Sequence, residues 1–176
     1  MRRQSFSLQP FNSELNINIS GEIIRNQGDL SIKYTLTGNL TELVITEPKS
    51  QATRQHELWQ TTCFEFFLAM PDSPQYWEFN LSLDGDWNIY HFASYRQGMK
   101  EETAFTSLPF RINQDAESLN LYLELALSEI ISENQKIEVA IATVTESRNS
   151  EINYWALKHL SKEADFHHRD SFEIAI

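Results

Sequence analysis

Apolar residues recur at every second position along several stretches of the chain. Leu15, Ile17 and Ile19 alternate with Asn16, Asn18 and Ser20, and Leu30, Ile32, Tyr34 and Leu36 alternate with Ser31, Lys33, Thr35 and Thr37. Leu119, Leu121, Leu123 and Leu125 repeat the pattern, as do Ile137, Val139, Ile141 and Thr143, where the other face (Ala140, Ala142, Val144) is apolar too. A two-residue period places one set of side chains on one face of a strand, so these segments read as strands with one face covered. Asn26-Gln27-Gly28-Asp29 reads as a hairpin turn, and Gly38-Asn39 closes the strand after it. No long segment has helical periodicity. Residues 127–133, with Ser128 as a cap, are the best helical candidate, and a strand connection suits them better. The expected fold is all-β: a two-sheet antiparallel β-sandwich, immunoglobulin-like or jelly-roll-like, of about ten strands with little helix. With no internal repeat and no long linker, residues 1–176 read as a single domain.

The chain has 176 residues, 41% of them hydrophobic, enough for one core. A formal net charge of −11 repels phosphate backbones, which argues against nucleic acid and anionic membrane surfaces as partners. No window approaches the roughly 20 apolar residues of a spanning helix. Arg2 and Arg3 are followed by no apolar run of the kind a secretory signal needs, so a cytoplasmic location is expected. The lone cysteine, Cys63, leaves no intrachain disulfide and reads as a buried structural thiol.

Two stretches, 56–99 and 154–172, interrupt the plain alternation and mix aromatics with Glu, Asn, Arg and His, which marks them for function. In the first, Phe64, Phe66 and Leu68 point one way, and Cys63, Glu65 and Phe67 the other. Glu65 therefore sits among large apolar neighbours and needs a donor, or its pKa rises. In the following strand, Trp77, Phe79 and Leu81 alternate with Glu78, Asn80 and Ser82. A three-residue loop, Leu83-Asp84-Gly85 with Gly85 at positive φ, sets Glu78 opposite Tyr90 and Asn80 opposite Asn88 while stacking Phe79 on Ile89 and Leu81 on Trp87. This register sorts the faces and makes a polar one, either ligand-facing or simply solvated. Arg96 follows, placed to clamp Glu65 or Glu78 or to reach a ligand.

In the second stretch, His159, Asp165 and His167 are metal-ligating residue types with weakly specific spacing, and hydrogen-bonding roles suit His159 and His167 better. Phosphate loops, zinc ribbons and nucleophile elbows are absent. Glu65 and Glu78 are the residues a glycosidase pair would need, without a pattern that sets their separation.

Five motifs in order carry a resemblance: the run from Leu58 through Thr62-Cys63-Phe64-Glu65-Phe66-Phe67-Leu68, then Tyr76-Trp77-Glu78-Phe79-Asn80, Trp87-Asn88-Ile89-Tyr90, Tyr95-Arg96-Gln97-Gly98-Met99, and Tyr154-Trp155-Ala156-Leu157-Lys158-His159 with Asp165-Phe166-His167-His168. From about His56 onward the chain resembles bacterial DOMON-like proteins of unknown function and, through them, the family-nine carbohydrate-binding modules. The resemblance implies a sandwich with one concave sheet face able to take a sugar or a haem, and no catalytic reaction. It implies aromatic platforms for a sugar, for which Trp59 and Trp155 are the candidates. It also implies Met and His axial ligands for a haem, for which Met70, Met99 and His91 are available outside any matching motif.

The leading expectation is a non-catalytic module that binds a carbohydrate or another small polar ligand through Trp59, Glu65, Glu78, Asn80, Tyr90, Arg96, Trp155, His159, Asp165 and His167, with no obligatory cofactor. The alternatives are a haem-binding, redox-linked domain and a metal-dependent enzyme using His159, Asp165 and His167.

Overall fold

The alternating segments fold into two antiparallel sheets in a computed structural model that describes residues 1–176. The first sheet contains β1 (Arg2–Ser7), β3 (Ile17–Asn26), β4 (Asp29–Gly38), β10 (Ser118–Ala126) and β9 (Phe110–Gln114), in that order across the sheet. The second runs β2 (Gln9–Phe11), β12 (Ile152–Ala156), β11 (Glu138–Glu146), β5 (Cys63–Ala69), β6 (Tyr76–Ser82), β7 (Trp87–Phe92) and β8 (Lys100–Glu101), with β13 (Ile174–Ala175) paired to β11 off that path. The thirteen strands exceed the ten or so expected by short edge segments such as β2, β8 and β13, too brief to show a period. Residues 127–133 form a strand connection with a single 3-10 turn, Leu127–Glu129.

The core lies between the sheets. Ile32, Tyr34, Leu36, Leu121 and Leu123 from the first sheet meet Phe64, Phe66, Phe79, Ile89 and Ile141 from the second, all essentially inaccessible to water. Each such side chain contributes about 1.5–3 kcal/mol by burial. Tyr34 ties the layers together: its ring packs edge-on against Phe64 at 5.1 Å and its hydroxyl donates to the Glu65 carbonyl at 2.7 Å.

The hairpin between β6 and β7 has the expected register, with Glu78 opposite Tyr90, Asn80 opposite Asn88, Phe79 opposite Ile89 and Leu81 opposite Trp87. Gly85 takes φ 95°, a conformation that side chains disfavour, and so fixes the turn. On the other side, β5 pairs with β6 so that Glu65 faces Asn80 and Phe67 faces Glu78. Glu65, Glu78, Asn80, Asn88 and Tyr90 therefore share the outer face of the eight-stranded sheet. Segments 93–99 and 157–172 cover that face. All seven residues of β5 and all seven of β6 are buried, where β4 alternates buried with accessible positions.

Candidate functional site

Covering a polar sheet face with loops leaves a cavity of about 450 Å³. Its floor is the outer face of β5 and β6, where Glu65 and Glu78 enter the lining. Trp59 closes one side from the 3-10 turn Leu58–Gln60, which Glu57 starts in the left-handed conformation at φ 58°. Phe92 comes from the end of β7, Arg96 and Met99 from the segment after it, Tyr154 from β12, and Phe166 and His167 from the C-terminal segment.

Both floor carboxyls are nearly out of solvent, Glu65 at 3% and Glu78 at 4% exposure. Burial, and then the neighbouring Glu78, push the Glu65 carboxyl well above the ordinary range. Its Oε1 has no hydrogen-bond partner. Burial also raises Glu78, to about 7, against the opposing help of Asn80, whose Nδ2 donates to Glu78 Oε1 at 2.8 Å, and of Arg96.

His167 stands over this floor in an aromatic nest, its ring 5.3 Å from Phe67 and 5.2 Å from Phe92. The Tyr76 hydroxyl lies 2.7 Å from His167 Nδ1 and accepts the Arg96 backbone N–H at 3.1 Å. The hydroxyl proton is thus directed at Nδ1, and the ring proton sits on Nε2, 3.8 Å from Glu78 Oε2. That contact is not an ion pair at neutral pH. Burial and the Arg96 charge lower His167 to about 4, so the imidazole is neutral.

Arg96 pairs with neither floor carboxylate. Its guanidinium donates to Asp165 Oδ1 at 2.9 Å, and Asp165 also accepts the Tyr95 hydroxyl at 2.6 Å and the His167 N–H at 3.1 Å. Burial opposes ionisation of Asp165, yet these donors hold its carboxyl below the usual range. The Arg96–Asp165 bridge straps the C-terminal segment to the 93–99 segment and so holds the covering loops in place.

Of the ten residues singled out from the sequence, Trp59, Glu65, Glu78, Arg96 and His167 line the cavity. Asn80 and Tyr90 stand behind the lining. Asn80 is fully buried and orients Glu78. The Tyr90 hydroxyl contacts Asn88 Nδ2 and His56 Nδ1, each at 3.0 Å, and its ring backs Trp59 at 6.1 Å. Asp165 acts through Arg96.

Trp155 and His159 lie elsewhere. Trp155 points into the core between the sheets and donates its indole N–H to Thr145 Oγ1 at 3.0 Å. Residues of β12 alternate faces, so the aromatic at the cavity is its neighbour Tyr154. His159 contacts the Gln9 carbonyl at 2.8 Å and packs on Phe11, pinning the sheet edge. His159, Asp165 and His167 consequently do not form a metal-binding group. The haem candidates are also dispersed: Met99 lines the cavity, while Met70 packs against the core between the sheets and His91 packs against Trp77.

Sequence reasoning missed Phe92, Tyr154 and Phe166. Phe92 continues the face of Asn88 and Tyr90 and was within reach of the two-residue period. Tyr154 and Phe166 pack edge to face at 6.0 Å, a contact that only the pairing of β12 and the path of the C-terminal segment create.

No known protein-family profile and no curated protein matches the chain. Solved structures do. A "putative carbohydrate-binding protein" from Bacteroides uniformis superposes with a TM-score of 0.68 at 12% identity, over 96% of this chain and 83% of that one. A family-nine carbohydrate-binding module from Caldicellulosiruptor kristjanssonii in complex with cellotriose gives 0.55 at 8% identity, covering 88% and 72%. The same organism's family-nine module in complex with glucose gives 0.54 at 10% identity, covering 88% and 73%. What the chain shares with them at these identities is the fold.

Proposed function

We propose that the chain is a non-catalytic module that binds a carbohydrate in the cavity on the outer face of its eight-stranded sheet. The observation that carries this reading is the make-up of the cavity: buried carboxyls on the floor, with Trp59, Tyr154 and Phe166 around them. Sugars present apolar C–H faces and rings of hydroxyls. Aromatic walls take the first and orienting polar groups take the second. The volume suits a mono- or disaccharide, and the fold is shared with modules solved in complex with glucose and cellotriose. The DOMON-like part of the resemblance rests on the sequence motifs alone.

Calorimetric titration with a panel of mono- and disaccharides tests the reading. Binding at micromolar to millimolar Kd, weakened about tenfold or more in Trp59→Ala or Tyr154→Ala, is expected. Absence of heat across the panel at millimolar sugar would refute it.

A further inference from the structure

The Glu65–Glu78 floor has a feature that bears on the charge of the ligand. The two carboxyls belong to adjacent strands, both are almost wholly buried, and both open into the same cavity. One of them, through Glu65 Oε1, has no hydrogen-bond partner. A buried acceptor without a donor costs folding free energy, and two buried carboxyls side by side ionise together only when a cation lies between them. The protein supplies that cation only at a remove, through the Arg96 charge. The Arg96 guanidinium is held by Asp165, and His167 is neutral. Around the carboxyls stand the rings of Trp59, Phe92, Tyr154 and Phe166, whose faces attract positive charge.

We propose that the cavity selects a ligand bearing a cationic amine, such as a sugar with a free amino group, held between the Glu65 and Glu78 carboxyls and the aromatic walls. This rests on the reading of the cavity as a sugar site and adds the charge of its ligand. An ammonium group brings three N–H donors to the cavity floor. Its charge stabilises ionised Glu78. An anionic sugar would instead face two carboxyls, and N-acetylation would remove both the charge and two of the donors.

Binding of such a cation releases protons. Near neutrality Glu78 is partly protonated, and the bound ammonium draws it toward the ionised form. The groups that face Glu78 do not compensate. They are Glu65 and Cys63 on β5, Tyr76 on its own strand, Tyr90 on β7, Arg96 in the covering segment, and Asp165 with His167 in the C-terminal segment. The Cys63 thiol, buried and pushed well up, and the two tyrosines, raised by burial to about 12, stay protonated.

The experiment is calorimetry of the wild-type chain at pH 6.5 with D-glucosamine, D-glucose, N-acetyl-D-glucosamine and choline, each in two buffers of different ionisation enthalpy. The expected result is D-glucosamine binding at least about tenfold tighter than D-glucose and N-acetyl-D-glucosamine, with proton release seen only for the charged ligands. Glu78→Gln should remove both the preference and the release. Equal affinity for D-glucose and D-glucosamine without proton release overturns the inference and leaves the sugar reading standing. Choline binding alone upholds the cation and overturns the sugar. No binding by any of the four overturns both.

Discussion

The two sheets of this sandwich start from the same alternating pattern and treat their outer faces differently. On the five-stranded sheet, every second residue of β4 and β10 meets water. On the eight-stranded sheet the outward residues of β5, β6 and β7 are as buried as the inward ones, and they include Glu65, Glu78, Asn80 and Asn88. A solvated polar face costs nothing to keep. A covered one must find partners for each polar atom, and where it does not, something outside the chain is the natural partner.

Both sheets also bury ionisable side chains, and Arg25 and Glu65 show the contrast. In the five-stranded sheet, Arg25 donates to the carbonyls of Ser132 at 3.0 Å, Glu133 at 3.1 Å and Gln27 at 3.3 Å, and also to Gln135, so its charge is matched. In the eight-stranded sheet, the Glu65 carboxyl is pushed well above the ordinary range by burial and keeps an orphaned oxygen. The first is a structural clamp on the 132–135 segment. The second is an unfinished interaction, and it opens into the cavity.

Substitutions sharpen this contrast. The largest effect is expected at the two tryptophans assigned to opposite roles. Trp155→Ala empties a core position and should cost about 3–5 kcal/mol in urea unfolding, while Trp59→Ala at the cavity wall should cost under about 1 kcal/mol and act on ligand affinity instead. Equal destabilisation by the two would erase the distinction between core and cavity.

The pH profile comes next. The folded-state pKa of Glu78 lies near 7 against 4.5 when unfolded. The unfolded chain loses this proton first as pH rises, so stability should fall between about pH 4.5 and 7, by on the order of 3 kcal/mol from this group, and level off above. Chemical unfolding of wild type and Glu78→Gln across that range isolates the contribution. Parallel curves would show that Glu78 is an ordinary solvated carboxylate.

Exchanging the two buried groups should then give unequal losses. Arg25→Met leaves four or more carbonyls short of a donor and should cost about 2 kcal/mol or more. Glu65→Gln replaces the buried carboxyl, whose charged form burial disfavours, with a neutral amide of equal size and should change stability by less than about 1 kcal/mol. The smallest effect belongs to the solvated face: Arg3→Ala removes a 3.1 Å bridge to Glu22 and should change stability by less than about 0.5 kcal/mol.

The sandwich was legible in the sequence because burying one face of a strand writes a two-residue period into it. The register of β6 against β7 was legible too, since only the Leu83-Asp84-Gly85 loop sorts apolar from polar residues across the pair. Which outer face would be covered was not. The alternation of β4 and that of β6 look alike, and their difference comes from segments 93–99 and 157–172, which have no period to read. The resemblance names Trp155 as a sugar platform, and because both it and Tyr154 are aromatic the pattern does not say which of them faces inward. The pairing of Thr143 with Trp155 and of Val144 with Tyr154 decides it. His159 and His167 looked like one cluster along the chain, yet His159 packs on Phe11 and His167 on Phe67 and Phe92.

The most direct test of the central claim is an amide and side-chain NMR map of the chain titrated with sugars, the amino sugar included. Shifts concentrated at Trp59, Phe92, Tyr154, Phe166 and His167, with the five-stranded sheet unmoved, are predicted. A map with no shifts, or one centred on the outward residues of β4 and β10, would contradict it.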